Sequence, residues 1–171
     1  MYLRLLREKD DQALLTFELA NKDWFESFIE PREPIFYSSK GIQQHITNFL
    51  TEYLNGQRLP LLIISNNHEI IGRINLHQIC TKTGRAYLGY RVAQSSANGG
   101  VASFAVKQIL SLAQQSGITH INAVASTDNK ASQKVLIKNG FQQKKLVLNK
   151  AIIKGQPLNC IEYQRSINEC L

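Results

Sequence analysis

The sequence predicts one α/β domain over residues 1–171: a mixed, mostly antiparallel sheet with helices on both faces. Three observations lead there. The chain has 171 residues, 43% of them hydrophobic, which suits a single core of ordinary size. Its middle third reads as short β-branched runs separated by turn residues, the pattern of an antiparallel meander. Beyond residue 93 the order becomes loop, helix, strand, helix, strand, strand. Helices alternating with strands must cover both faces of the sheet they join.

Tyr2–Leu6 reads as a short strand. Lys9–Ala20 carries Ala13, Leu14, Phe17 and Ala20 on one helical stripe. Trp24–Tyr37 is aromatic and broken by Pro31 and Pro34, so a loop or short helix is expected. Ile42, Ile46, Phe49, Leu50 and Tyr53 give Gly41–Asn55 a helical period, which Asn55-Gly56 stops. Pro60–Ser65, Glu69–Cys80 and Arg85–Ala93 follow as three strands, separated by turns at Asn66-Asn67 and Thr81–Gly84. A loop of small residues, Ser95–Gly100, opens a long amphipathic helix that ends before Gly117. His120–Ala125 is a strand and Asp128–Asn139 a helix that Asp128 or Thr127 can cap, closed by Asn139-Gly140. Phe141–Lys150 and Leu158–Ile167 are the last two strands.

Composition narrows the function classes. The hydrophobic content excludes a disordered chain, and no apolar run approaches the roughly 18 residues of a spanning helix. The early charges of Arg4, Arg7, Glu8 and Lys9 argue against a secretory signal, so a cytoplasmic location is expected. Cys80, Cys160 and Cys170 are far apart and form no Cys-x-x-Cys pair, which predicts reduced thiols and no metal site. The net charge is +7, and seven lysines between Asn129 and Ile161 (130, 134, 138, 144, 145, 150 and 154), with no acid among them, account for all of it. Such a stretch is either a solvated face or a site for a polyanion, a phosphorylated cofactor or RNA. No aromatic residue interleaves Lys144–Lys154, which argues against a base-stacking platform.

The loop before the long helix carries the chemistry. Ser95-Ser-Ala-Asn-Gly-Gly100 brings backbone N–H groups close to a ligand, and the helix start adds unpaired N–H groups and a positive dipole end. Phosphates bind at such a place, although an ordinary strand-to-helix turn has the same composition. Ser132 lies three residues after Asn129 and four before Leu136, so the three share one flank of their helix. Ser and Asn there are either ligands or caps.

Taken together, Leu88-Gly-Tyr-Arg-Val92, Ala97-Asn-Gly-Gly-Val-Ala-Ser-Phe-Ala105 and Asn129-Lys-Ala-Ser132 with Lys138-Asn-Gly-Phe141 resemble the GNAT superfamily, and within it N-acetyltransferases of the RimJ/RimL type. The resemblance covers about Ile70 to Tyr163, and the N-terminal part in element order. It implies acetyl-CoA as cosubstrate. The family's Gln/Arg-x-x-Gly-x-Gly/Ala loop falls on Ser95–Gly100, where Ser95 replaces Gln/Arg and Asn98 the first Gly, while Gly100 keeps the second. The pyrophosphate is then expected on the amides of Ser95, Asn98, Gly99 and Gly100 and of the helix start, Val101, Ala102 and Ser103. Pantetheine is expected to pair along Tyr90, Arg91 and Val92, where the sheet splays, with Asn129 beside it. The family's proton-donating Tyr falls on Leu136, which cannot serve. RimL-like members place a Ser one turn earlier, and Ser132 matches it as acid or as hydrogen bond to the CoA sulfur.

The strand Arg85–Val92 carries no acidic residue to serve as base. Tyr87 stands where RimJ/RimL members commonly carry Glu; His77 on the neighbouring strand is the local substitute, with Glu30, Glu33 and a water relay as rivals. The Val92 amide is the expected oxyanion donor. Trp24, Glu30, Glu33 and Tyr37, in the aromatic segment, are expected at the acceptor end, where their carboxylates suit an amine. Three readings follow: an acetyltransferase for protein N-terminal α-amines, with ribosomal proteins or the ribosome as partners; one for polyamines, aminoglycosides or other small amines; or a CoA- or RNA-binding module with little catalysis. The family resemblance is compatible with a homodimer, although no apolar patch in the sequence demands one.

Overall fold

The computed structural model describes residues 1–153 and 156–167, so Lys154 and Cys170 lie outside the described residues. Seven strands form one sheet: β1 (Tyr2–Leu5), β2 (Arg58–Ile64), β3 (Ile70–Cys80), β4 (Arg85–Val92), β5 (His120–Ser126), β6 (Gln142–Ile153) and β7 (Gln156–Ser166), in the order β1-β2-β3-β4-β5-β7-β6. All pairings are antiparallel except β4 with β5. The helices are α1 (Asp11–Ala20), α2 (Lys22–Glu26), α3 (Ser39–Leu54), α4 (Val101–Gln115) and α5 (Lys130–Lys138).

The period-two pattern of β2 and β3 splits the core into two layers. Leu61, Ile63, Ile74 and Leu76 face α4 and join Val106, Ile109 and Leu136, while Leu62 and Ile64 face the α1–α3 side with Leu14, Phe17, Ile42 and Ile46. A fully buried Val, Leu or Ile contributes about 1.5–3 kcal/mol, so both faces are firmly anchored.

Most expected boundaries shift by one to three residues, and two of the shifts have a visible cause. The first helix starts at Asp11 rather than Lys9, because Glu8–Asp10 is a 3-10 turn pinned by Asp10, whose carboxylate takes two 2.7 Å hydrogen bonds from Arg4 and one from the Arg7 amide. The cap of α5 is neither Asp128 nor Thr127. Asn129 Oδ1 accepts from the Ser132 amide at 2.9 Å, the N-cap to N3 geometry that a side chain three residues upstream provides. Gly140, at φ 79°, ends α5, and the Phe141 amide returns to the Leu136 carbonyl.

The feature that makes room for a site is the β4–β5 pairing. It runs only from Arg85↔His120 to Leu88↔Ala123. Beyond it Gly89–Val92 stays with β3, and Val124–Ser126 stays with β7, so the two strands part.

Candidate active site

Two cavities flank this splay and share Ile29, Tyr90, Arg91 and Ser132. The first, about 410 Å³, lies between the end of β4, the start of α4 and the start of α5. Tyr90, Arg91, Val92, Asn98, Gly100, Val101, Ala102, Ser103, Asn129 and Ser132 line it, as does Trp24. Ser95 and Gly99 do not; the Gln94–Ser96 turn leaves Ser95 exposed. Asn98 (φ 62°) and Gly100 (φ 78°) adopt the left-handed backbone that folds the loop over the helix start. A Cβ on Gly100 would meet no atom within 4 Å, so the approach to the helix end is open. The first intrahelical bond runs from Phe104 N to Gly100 O, which leaves the amides of Val101, Ala102 and Ser103 at the helix mouth. Asn139 Nδ2 reaches Ser103 Oγ at 3.2 Å and ties α5 to this first turn.

Strand alternation decides which β4 groups face the gap. Ala93 N donates to Ile71 O on β3, so the N–H and C=O of Val92 point the other way, into the splay. Trp24 Nε1 takes the Val92 carbonyl at 3.2 Å. A strand-like ligand is therefore left with the Val92 amide and the Tyr90 peptide rather than the whole edge.

At the junction of the cavities the Tyr90 hydroxyl sits 2.8 Å from Ser132 Oγ. Burial pushes Tyr90 up to about 12, against the opposing pull of its Ser132 bond. The resemblance implies a role for the Tyr90 backbone alone; its side chain also brings a phenol beside Ser132, while Leu136, 1% exposed, has none to offer.

The second cavity, about 450 Å³, is strongly basic. Arg73, Asn75 and His77 alternate along one face of β3, and Arg73↔Arg91, Asn75↔Gly89 and Arg58↔His77 are cross-strand partners. Arg58, Arg32 and His45 complete the lining. Glu18, wholly buried, lies 2.8 Å from Arg73 Nε and 3.3 Å from Arg91 Nη1. The Arg73 contact is a charge pairing rather than an aligned hydrogen bond, since Glu18 Oε1 has no hydrogen-bond partner. His45 touches Arg73 Nη1 at 2.8 Å; burial first, then the guanidiniums of Arg73, Arg32, Arg91 and Arg58, push it down to about 2. His77 is also lowered, by burial and then Arg58, so both rings are neutral at pH 7. His77 stacks on Tyr87 at 5.7 Å.

The expected acidic side chains are not part of either cavity, and the second cavity carries the opposite charge. Glu30 and Glu33 are exposed and line neither cavity, and Tyr37 lines neither, its hydroxyl donating to Glu26 at 2.8 Å. The turn through Pro31 and Pro34 points the carboxylates outward and sends Arg32 and Phe36 in, the guanidinium 4.3 Å from the ring. His45 also belongs to this lining.

Residues 1–142 match the family model of the acetyltransferase (GNAT) domain. Over 96 residues the chain is 32% identical to the uncharacterized N-acetyltransferase YoaA of Bacillus subtilis (strain 168), covering 56% of this chain and 54% of YoaA, so it spans about half the length of that relative. In structure it is similar to ribosomal-protein-S5-alanine acetyltransferase from Vibrio fischeri, with a TM-score of 0.90 at 18% identity over 96% of this chain and 91% of the other. It is also similar to RimL, a ribosomal L7/L12 alpha-N-protein acetyltransferase in complex with coenzyme A, with a TM-score of 0.89 at 23% identity over 96% and 93%. At these identities the structural likeness speaks for the fold, whereas the family match runs through the first cavity and both hydroxyls of its junction. The chain belongs to the GNAT family of acetyltransferases.

Proposed function

We propose that the protein transfers the acetyl group of acetyl-CoA to a primary amine, the α-amine of a protein N-terminus, by direct attack in a ternary complex. The observation that carries this reading is the meeting of two cavities at the Tyr90–Ser132 hydroxyl pair, one cavity on a helix start and one open to an acceptor. The names of the S5-alanine and L7/L12 acetyltransferases support a ribosomal protein as acceptor.

In this reading the pyrophosphate rests on the amides around Gly100–Ser103, and pantetheine runs beside Tyr90, Val92 and Asn129 toward the junction. The neutral amine attacks the thioester carbonyl; a C–N bond forms and the carbonyl oxygen becomes an oxyanion facing the Val92 amide. The nitrogen then loses a proton to His77 or to water, and the C–S bond breaks. The thiolate forms beside Ser132, which hydrogen-bonds the sulfur and is itself backed by Tyr90. Approximation of the two substrates in one cleft supplies much of the rate.

The test is thiol release from acetyl-CoA against N-terminal peptides, polyamines and aminoglycosides. Release with peptides supports the reading; release with polyamines or aminoglycosides alone moves the acceptor to small amines. Binding of acetyl-CoA without release from any acceptor overturns it in favour of a binding module.

A further inference from the structure

The second cavity brings together more positive charge than its surroundings neutralise. Arg58 pairs with Glu52 at 2.5 Å and donates to Asn75 at 2.7 Å. Arg73 and Arg91 share the single carboxylate of Glu18. Arg32 packs on the Phe36 face, and its buried Nε has no hydrogen-bond partner. Glu26, which lines neither cavity, accepts from Tyr37. Four guanidiniums therefore face the cavity against two paired carboxylates, with His45 and His77 neutral between them. Guanidiniums stay protonated at neutral pH and cannot relieve the excess by losing a proton.

We propose that the acceptor amine belongs to a molecule bearing its own oxyanion, a carboxylate or phosphate a few bonds from the amine, which Arg32, Arg73 and Arg91 hold. This rests on the transferase reading above and names its substrate class. Partly buried cations that share one carboxylate lack their full complement of acceptors, and a planar oxyanion meets guanidinium forks in a bidentate way. The same charges disfavour an ammonium ion, so they keep an arriving amine in its neutral, nucleophilic form. That role replaces a carboxylate base, and it fits a strand on which Tyr87 rather than an acid faces His77. Polycations, such as polyamines and aminoglycosides, are excluded by the same field. For an N-terminal acceptor the oxyanion is an Asp or Glu side chain within the first few residues; for a small acceptor it is a free carboxylate or phosphate.

The experiment compares kcat/KM for N-terminal peptides identical except for Asp, Ala or Lys at the second and third positions, with phosphoethanolamine and free aspartate as small-molecule arms. The expected order is Asp over Ala over Lys, with at least tenfold between the first two. In Arg32→Gln the Asp-to-Ala ratio falls about tenfold, and Arg32→Lys restores part of it, while acetyl-CoA affinity stays unchanged. Preference for phosphoethanolamine or aspartate over every peptide keeps the oxyanion and assigns it to a small molecule. Independently of any variant, succinate inhibits competitively against the acceptor and not against acetyl-CoA. Equal turnover of Asp, Ala and Lys peptides, or a ratio untouched in Arg32→Gln, overturns the proposal while leaving the transferase reading intact. Failure to acetylate any acceptor overturns both.

Discussion

Replacing Tyr90 by Phe removes one oxygen from the junction of the two cavities and leaves the ring. That hydroxyl lies 2.8 Å from Ser132 Oγ, and burial holds its pKa at about 12. A thiol titrates near 8.5, so full proton transfer from Tyr90 to a thiolate is uphill by about 3.5 units, roughly 5 kcal/mol. In the proposed reaction the pair therefore acts by hydrogen-bonding the sulfur as charge develops, Ser132 directly and Tyr90 through the 2.8 Å bond that polarises it. Loss of a positioned donor to a developing charge costs about 10²–10³-fold in kcat, which sets the expectation for Ser132→Ala. Tyr90→Phe, one bond further away, is expected to lose about tenfold. The double variant is expected to match Ser132→Ala, because Tyr90 acts through Ser132. Stopped thiol release gives kcat, and titration calorimetry gives acetyl-CoA affinity, expected to be unchanged in all three variants. Independent, additive losses would refute the coupling, and an unchanged kcat in Ser132→Ala would refute the assignment itself.

Other predictions are separable from this one. Gly100→Val puts a β-branched side chain at φ 78° and into the open mouth of α4. It is expected to cost about 1–3 kcal/mol of stability and to abolish acetyl-CoA binding; a folded variant with intact affinity removes the loop from the site. Trp24, the single tryptophan, lines the cofactor cavity and bonds Val92, so acetyl-CoA is expected to change its fluorescence saturably; a flat titration with binding proven by calorimetry places the cofactor elsewhere. His45 titrates near 6.5 when unfolded and at about 2 when folded, so its contribution to stability is complete above pH 6.5 and is lost as pH falls. Urea unfolding is expected to show the wild type losing about 2 kcal/mol more than His45→Gln between pH 7.5 and pH 5; parallel losses refute it.

The parts of the site built from backbone were legible in the sequence. A run of small residues between strand and helix, with Asn98 and Gly100 able to take positive φ, announces an open helix start wherever it occurs. Helical spacing fixed the flank that Ser132 shares with Asn129 and left ligand or cap open for both; the structure makes Asn129 the cap of α5, while the role of Ser132 rests on the family resemblance. The acceptor side was not, because its charges come from segments far apart. Arg32, Arg58, Arg73 and Arg91 meet only when β2, β3 and β4 pair and the residue 27–38 segment folds over them. One local signal was available: Arg73, Asn75 and His77 alternate with the buried Ile74 and Leu76, so they share the opposite face of β3. Alternation gives a face but not what covers it, and α3 covers this one with His45 and Phe49. Glu30 and Glu33 show the converse. Composition placed carboxylates beside aromatics, but a turn decides side-chain direction by backbone torsions, which turned them to solvent.

The central claim is acetyl transfer from acetyl-CoA to an α-amine at the Tyr90–Ser132 junction. Mass spectrometry of an acidic N-terminal peptide incubated with pure protein and acetyl-CoA tests it most directly. The account predicts one added acetyl group on the α-amine, formed at least a hundredfold more slowly by Ser132→Ala at saturating acetyl-CoA. Unmodified peptide from a protein that binds acetyl-CoA, or acetylation that Ser132→Ala performs as well as the wild type, would contradict it.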